Sequence, residues 1–210
     1  MTYPVTVTID PALTNRNRLT TAFRIILAIP HLVLVGSVGF GGVAWKADHG
    51  SASLGGETGL LGAAAFLLAI VSWFTIVIGG EHIPGIRQFT AFYMRWRVRA
   101  LAYVMLLRDE YPPFGDAPYP ASIEIVDPTG PRDRLTVGLR IFLIIPHLIV
   151  LFFLAFGWWI TSVIAWLLIL FTGEYPPGLY NFGVGVLRWL LRVETYILLL
   201  VDEYPPFSLN

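Results

Sequence analysis

Two histidines stand out because each follows a proline inside an apolar segment. His31 lies seven residues after Arg24, and His147 lies seven residues after Arg140, so each pair shares one side of a helix. Ionisable side chains in membrane-length segments are typical of proton relays and ion paths. The alternative is that each histidine caps carbonyls released by the preceding proline. Further metal ligands do not follow at suitable spacing, so neither a metal site nor a cofactor is predicted.

Two glutamates mark the ends of apolar segments. Glu81 and Glu174 each follow a glycine where such a segment stops. They would form an ion-binding carboxylate pair, or else each would pair with arginines of the segment that follows it.

Those following segments combine arginines with aromatic residues at helical spacing. The arginines are four residues apart and therefore share one helix face. Guanidinium groups can bind the phosphates of anionic lipid headgroups, and the same residues would also simply anchor a helix at the membrane surface. The residues are Arg95, Trp96 and Arg99, repeated as Arg188, Trp189 and Arg192.

A third recurring motif is Asp-Glu-Tyr-Pro-Pro-Phe. Its prolines predict a rigid extended exit from a helix, which is either a helix stop or a docking turn for a partner. The candidate docking residues are Asp109, Glu110 and Tyr111, repeated as Asp202, Glu203 and Tyr204.

These motifs belong to an internal duplication. Arg-Leu-Thr at 18–20 and Pro-His at 30–31 recur 116 residues later, whereas Asp-Glu-Tyr-Pro-Pro-Phe recurs after 93 residues. Copy one therefore comprises residues 1–116 and copy two residues 117–210, with an insertion near 37–59 in copy one. Each copy opens with an alternating segment that ends in Asp-Pro, which predicts one short strand per copy and pairing of the two strands.

The composition indicates a protein in contact with lipid. The chain is 56% hydrophobic and 13% charged, and its mean hydropathy is +0.68. Its formal net charge is zero, which argues against nucleic acid as a partner. It contains no cysteine, so disulfides and thiolate chemistry are excluded.

Segment lengths and arginine positions predict a mainly α-helical integral membrane protein. We expect four transmembrane helices in two hairpins, the second hairpin turning near Phe156-Gly157-Trp158. Two amphipathic interfacial helices would follow, with aromatic residues toward lipid and arginines toward headgroups, and a small β-sheet would lie at the membrane surface. This arrangement puts nearly all arginines on one face, which predicts a multi-pass protein with cytoplasmic N- and C-termini.

The motifs resemble those of the DUF4389 family of bacterial membrane proteins. The resemblance is carried by Arg-Ile-x-Leu-x-Ile-Pro-His-Leu, by the segments 171–179 and 185–189, and by Asp-Glu-Tyr-Pro-Pro-Phe at 202–207. It covers two tandem copies, of which copy one is the more divergent. It implies a location in the bacterial plasma (inner) membrane, and it implies no activity because the function of the family is unknown.

The sequence therefore favours a non-enzymatic accessory or scaffold protein that packs against a larger membrane complex or organises anionic lipid. The expected partners are membrane lipid and either a membrane protein or a second copy of the chain. The alternative is a small transporter or channel, with His31, His147, Glu81 and Glu174 lining a path. A membrane enzyme that acts on lipid is the third hypothesis.

Overall fold

The computed structural model describes residues 3–38, 43–46, 51–54, 59–128, 130 and 132–210. The elements in chain order are β1 Val5–Ile9, α1 Arg18–Ala22, α2 Arg24–Val35, β2 Val43–Lys46, β3 Ser51–Leu54, α3 Gly59–Phe74, a π-helical turn Thr75–Gly79, α4 Pro84–Val104, β4 Ala121–Ile125, α5 Arg134–Thr172 and α6 Pro177–Ile197. The protein is mainly helical, as predicted.

The strands of the two copies pair, which confirms the predicted small sheet. β1 and β4 are antiparallel, with Val5 opposite Ile125 and Val7 opposite Ile123. Alternate side chains point to opposite faces of a strand. Val5, Val7 and Ile123 are therefore buried on one face, while polar residues such as Thr6 and Glu124 are exposed on the other.

Copy two contains one uninterrupted long helix. The Asp133 carboxylate accepts hydrogen bonds from the backbone N–H groups of Leu135 and Thr136 and so caps the start of α5. Gly173 ends the helix in a left-handed conformation (φ 77°). The predicted hairpin turn at Phe156-Gly157-Trp158 is wrong, because these residues continue the helix and Trp158 is fully buried.

Copy one has the same long helix with an interruption. α2 ends at Val35 and α3 begins at Gly59, and a Cβ on Gly59 would lie 2.5 Å from the backbone nitrogen of Gly36. The start of α3 therefore lies directly against the end of α2. The insertion predicted near 37–59 falls between them and includes the antiparallel pair β2–β3.

The predicted number of membrane spans is wrong. Within the described ranges, two helices are long and apolar enough to cross a membrane, namely Gly59–Gly79 and Arg134–Thr172, whereas four were expected. Only 33% and 22% of the most apolar 18-residue stretch of each helix is buried, whereas the core helix of a soluble protein is mostly buried. The apolar helix α2 has 12 residues, too few to span a bilayer.

α5 of copy two runs antiparallel to the interrupted long helix of copy one, which consists of α1, α2 and α3. The two touch near their ends. The Trp73 indole N–H donates to the Val137 carbonyl at 3.0 Å, and the Trp166 indole N–H donates to the Thr21 carbonyl at 2.9 Å. These bonds join the end of each long helix to the beginning of the other. We call α1, α2, α3 with its π-helical turn, and α5 the long-helix layer.

The predicted interfacial helices are buried in the centre of the molecule. α4 packs against α2, α3 and β4, and α6 packs against α5 and β1. Trp96 and Trp189, predicted to face lipid, are 8% and 5% exposed. α4 and α6 thus form a middle layer between the sheet and the long-helix layer, and each strand packs on the central helix of the other copy.

Candidate functional site

His31 lies in a box of aromatic side chains. The Trp96 indole N–H donates to His31 Nδ1 at 3.1 Å. The Phe114 ring stacks on the imidazole with the ring centres 4.6 Å apart, and Tyr111 contacts its edge at 5.0 Å. We call His31, Trp96, Tyr111 and Phe114 histidine box one.

His147 lies in an equivalent box formed by copy two. The Trp189 indole N–H donates to His147 Nδ1 at 3.1 Å. Phe207 stacks on the imidazole at 3.9 Å and Tyr204 lies at 4.8 Å. We call these four residues histidine box two. The two boxes share no residue, so the structure does not bring the histidines together as a joint site.

The hydrogen bonds from the tryptophans determine which ring nitrogen of each histidine carries no proton. A ring nitrogen that accepts a hydrogen bond carries no proton, so each Nδ1 is unprotonated. Both imidazoles are fully buried. The prediction that they cap carbonyls next to the prolines is wrong, since in the described part of the chain neither ring bonds a carbonyl of its own helix. Each histidine instead joins a long helix to a central helix.

The aspartate of each Asp-Glu-Tyr-Pro-Pro-Phe motif binds two arginines. Asp109 Oδ1 lies 2.7 Å from Arg16 Nη2 and 2.6 Å from Arg24 Nη2. Asp202 repeats this clamp, at 2.8 Å from Arg132 and 3.1 Å from Arg140. We call these groups the aspartate clamps. The predicted docking motif therefore turns its aspartate inward, where it fixes the start of the long helix.

The charges of the first clamp perturb the titration of its carboxyl group. Burial raises the pKa of Asp109, but hydrogen bonds from the Arg16 side chain and the Asn17 backbone N–H outweigh burial. A further hydrogen bond comes from Arg24. Together these partners hold the pKa of Asp109 at about 2. Asp109 is therefore a carboxylate throughout the physiological range.

The glutamate and the tyrosine of each motif are exposed. Glu110 pairs with Arg108 at 2.5 Å, and Glu203 contributes its carbonyl to the Tyr3 hydroxyl. Tyr111 and Tyr204 are 44% and 43% exposed, because each covers its histidine from outside.

A tyrosine in each copy completes the clamp and was missed by sequence reasoning. The guanidinium carbon of Arg24 lies 4.2 Å from the centre of the Tyr103 ring, and that of Arg140 lies 4.1 Å from the centre of Tyr196. These distances indicate cation–π contacts. The repeat does mark both residues, because Tyr103 and Tyr196 recur at the same offset as the tryptophans, but it predicts aromatic residues toward lipid and not their contact with arginine.

The arginines predicted to contact lipid headgroups have internal partners. Arg95 and Arg99 both pair with Asp116, at 3.0 and 3.1 Å. Arg188 donates to the Val7 carbonyl, and Arg192 donates to the carbonyl of Asn210. These residues therefore attach the central helices to the sheet and to nearby loops.

The two predicted glutamate sites are exposed and separate. Glu81 follows the C-terminal end of α3, and Glu174 follows that of α5, so they lie at opposite ends of the antiparallel long-helix layer. The predicted pairing with the arginines of α4 and α6 is wrong, because those arginines bond to the groups just described.

A buried ion pair joins the two copies and was also missed. Arg97 Nε lies 2.7 Å from Glu194 Oε2, and Glu194 Oε1 accepts a hydrogen bond from the Tyr93 hydroxyl at 3.0 Å. Arg97 is fully buried and Glu194 is 5% exposed. Arg97 also donates to the carbonyls of Val35 and Ser37 at the end of α2. This pair gave no signal in the repeat, because the equivalent positions are Leu190 and Leu101.

An apolar groove of about 550 Å³ lies between α3 and α5. Its walls include Phe66, Ile70 and Ile144, and Arg140 and Glu194 lie at its inner side. Because its lining is almost entirely apolar, the groove can accept a hydrocarbon chain better than a polar solute. Among the described residues, no group of three or more His, Asp or Glu side chains is arranged to hold a metal ion.

Comparison with known proteins identifies one family. No curated protein matches the chain, and no solved structure matches it. The family model described as "Domain of unknown function (DUF4389)" matches twice, over residues 58–115 and 134–208. The second match spans histidine box two and, from its clamp, Arg140 and Asp202 but not Arg132, whereas the first begins after His31. The chain therefore belongs to the DUF4389 family and contains the family domain in two tandem copies.

Proposed function

We propose that the protein is a non-enzymatic accessory or scaffold protein of the bacterial plasma membrane, which organises lipid around its long-helix layer. The observation that carries this proposal is the apolar outer surface of that layer. Side chains such as Ile25, Leu67, Phe142, Phe153 and Phe171 are 46–78% exposed there. Exposed apolar surface of this extent is typical of membrane contact.

The buried polar groups support a structural role. The histidine boxes, the aspartate clamps and the Arg97–Glu194 pair each join two elements of the fold. A proton path or active site would need titratable groups that converge on a cavity or on water. In the described residues, the two boxes share no residue with each other or with the groove lining, where Arg140 and Glu194 already bond to partners within the protein.

The transporter hypothesis receives less support. It requires His31, His147, Glu81 and Glu174 along one path. Each histidine is enclosed by its own box, and the glutamates lie at opposite ends of the molecule.

The chain segments at both ends lie on one face. The Tyr3 hydroxyl donates to the Glu203 carbonyl at 3.4 Å, so residues near the two ends meet beside the sheet. We extend the proposal to a cytoplasmic orientation of both chain ends, as expected from the arginine-rich segments of the sequence.

The groove provides the test for lipid organisation. In mild detergent, the purified chain is expected to retain phospholipid, and Ile70→Trp should reduce the retained lipid by filling the groove. Ile160→Trp is the matched control, because Ile160 lies outside the groove lining and is 41% exposed, close to the 43% of Ile70. Lipid is quantified by mass spectrometry against protein amount. Equal retention by both variants, or recovery of the chain without lipid, would contradict the proposal.

A further inference from the structure

The length of the long-helix layer does not match the thickness of a bilayer. α5 has 39 residues, and at 1.5 Å per residue its contour is roughly 58 Å. Exposed apolar side chains continue from Leu135 to Phe171. To place this stretch within a hydrocarbon core of about 30 Å, the helix would have to tilt by close to 60°, whereas spanning helices tilt by about 0–40°.

The insertion in copy one gives a second, independent constraint. The chain leaves the long helix of copy one after Val35 and rejoins it at Gly59. In copy two the equivalent residues are Leu151 and Phe152, which are adjacent and lie near the middle of α5. If the layer crossed the bilayer, the chain would leave and re-enter it at mid-depth. The inserted segment contains Lys46, Asp48 and Glu57, and charged residues within the hydrocarbon core of a bilayer are strongly unfavourable.

The opposite face of the molecule gives a third constraint. The sheet exposes Thr6, Thr8 and Glu124, and the Arg188 and Arg192 side chains lie beside its first strand. These polar groups lie on the face opposite the long-helix layer, not at its two ends. A transmembrane orientation would place that face against hydrocarbon.

We propose that the long-helix layer lies in the plane of the membrane, embedded in one leaflet, with the sheet facing the aqueous side. This inference rests on the membrane contact of the proposed function and specifies its geometry. A helix is about 10 Å across, which matches the depth of about 5–10 Å at which in-plane helices are embedded. The exposed Arg18 and Arg134, at opposite ends of the layer beside Gly173 and Gly80, would then reach lipid phosphates from one side.

The two glutamates at the ends of the layer allow a direct test. The chain has no cysteine, and Glu81 and Glu174 are exposed without an ion pair among the described residues. Glu81→Cys and Glu174→Cys are each labelled with a membrane-impermeant maleimide in intact cells and in inverted membrane vesicles. An in-plane layer predicts that both cysteines react from the same side, the side that also labels the sheet variant Thr8→Cys. A spanning layer predicts reaction from opposite sides, which would overturn the inference.

Depth measurement gives a second readout. Spin labels on Phe142→Cys, Phe153→Cys and Ile164→Cys, along the exposed side of α5, should report similar depths in vesicles of phosphatidylethanolamine and phosphatidylglycerol. A progressive change of depth across the bilayer would contradict an in-plane layer. If the chain is absent from the membrane fraction, the proposed function itself fails, and opposite-side labelling of a membrane-bound chain overturns only the in-plane geometry.

Discussion

At the residue scale, the indole of Trp96 makes a bond whose loss can be measured. Trp96→Phe keeps an aromatic ring in box one but leaves the buried His31 Nδ1 without its donor. An unsatisfied buried acceptor costs about 1–3 kcal/mol, so we expect the free energy of unfolding to fall by that amount. Thermal unfolding followed by near-ultraviolet circular dichroism in detergent measures the change.

Trp159 provides the control for that substitution. It lies on the outer surface of α5 and is 60% exposed. Trp159→Phe is expected to change stability by no more than about 0.5 kcal/mol. If Trp96→Phe were equally mild, the histidine box would not contribute to holding α2 against α4.

Asp109 makes the stability of the protein depend on acid pH. Its pKa of about 2 in the folded protein lies below the ordinary value of 3.8. The native state therefore gains stability above pH 4, of about 2 kcal/mol, and loses it as the pH falls toward 2. Asp109→Asn should be less stable at pH 7 and should lose less stability between pH 5 and pH 2 than the native chain. The measurement is chemical unfolding at a series of pH values.

Asp127→Asn is the control for the acid-pH experiment. Its side chain is 78% exposed in a pair with Arg87, and exposed pairs contribute little. A native-like pH dependence in Asp109→Asn would contradict the role of the clamp.

At the element scale, the local sequence pattern predicted the strands but not the burial of the central helices within the protein. β1 and β4 were predictable because alternation along a strand depends on the strand itself and on one buried face. The burial of α4 and α6 was not predictable in this way. Arg95 and Arg99 suggested contact with lipid headgroups, but in the structure both pair with Asp116. The continuity of α5 was obscured by its length, which exceeds one span.

The insertion predicts a shorter chain that still folds. Deletion of residues 36–58 joins Val35 to Gly59, as Leu151 joins Phe152 in α5. We expect the helix to become continuous and the rest of the fold to be retained. Far-ultraviolet circular dichroism, thermal unfolding and size-exclusion chromatography would show native-like helix content and a single folded species.

Helical phase provides the control for that deletion. Deletion of residues 36–60 removes two more residues, which rotates α3 by roughly 200° relative to α2. The buried Ala65 and Ala69 would then turn toward the outside. This variant should aggregate or unfold at low temperature, and similar behaviour of the two deletions would show that α2 and α3 are not joined in register.

At the scale of the whole molecule, the duplication predicted what the copies share but not how they meet. The boxes and clamps recur because each is formed within one copy, so the repeat marked most of their residues. Arg97 and Glu194 occupy non-equivalent positions of the two copies, and no spacing within one copy brings them together. Contacts between copies depend on packing, which the sequence pattern does not encode.

The Arg97–Glu194 pair predicts strong coupling between two substitutions. Arg97→Leu alone leaves the buried Glu194 carboxylate without its arginine, and Glu194→Leu alone removes the carboxylate from the buried Arg97. Either change should cost about 3–5 kcal/mol, because a buried charge loses its compensation. The double variant places leucine where the repeat has Leu190 and Leu101, so it removes both charges together. We expect it to be more stable than either single variant, although the Tyr93 hydroxyl and the Val35 carbonyl lose a partner. Unfolding free energies of the four chains form a double-mutant cycle, and additive costs in that cycle would mean that the pair does not hold the copies together.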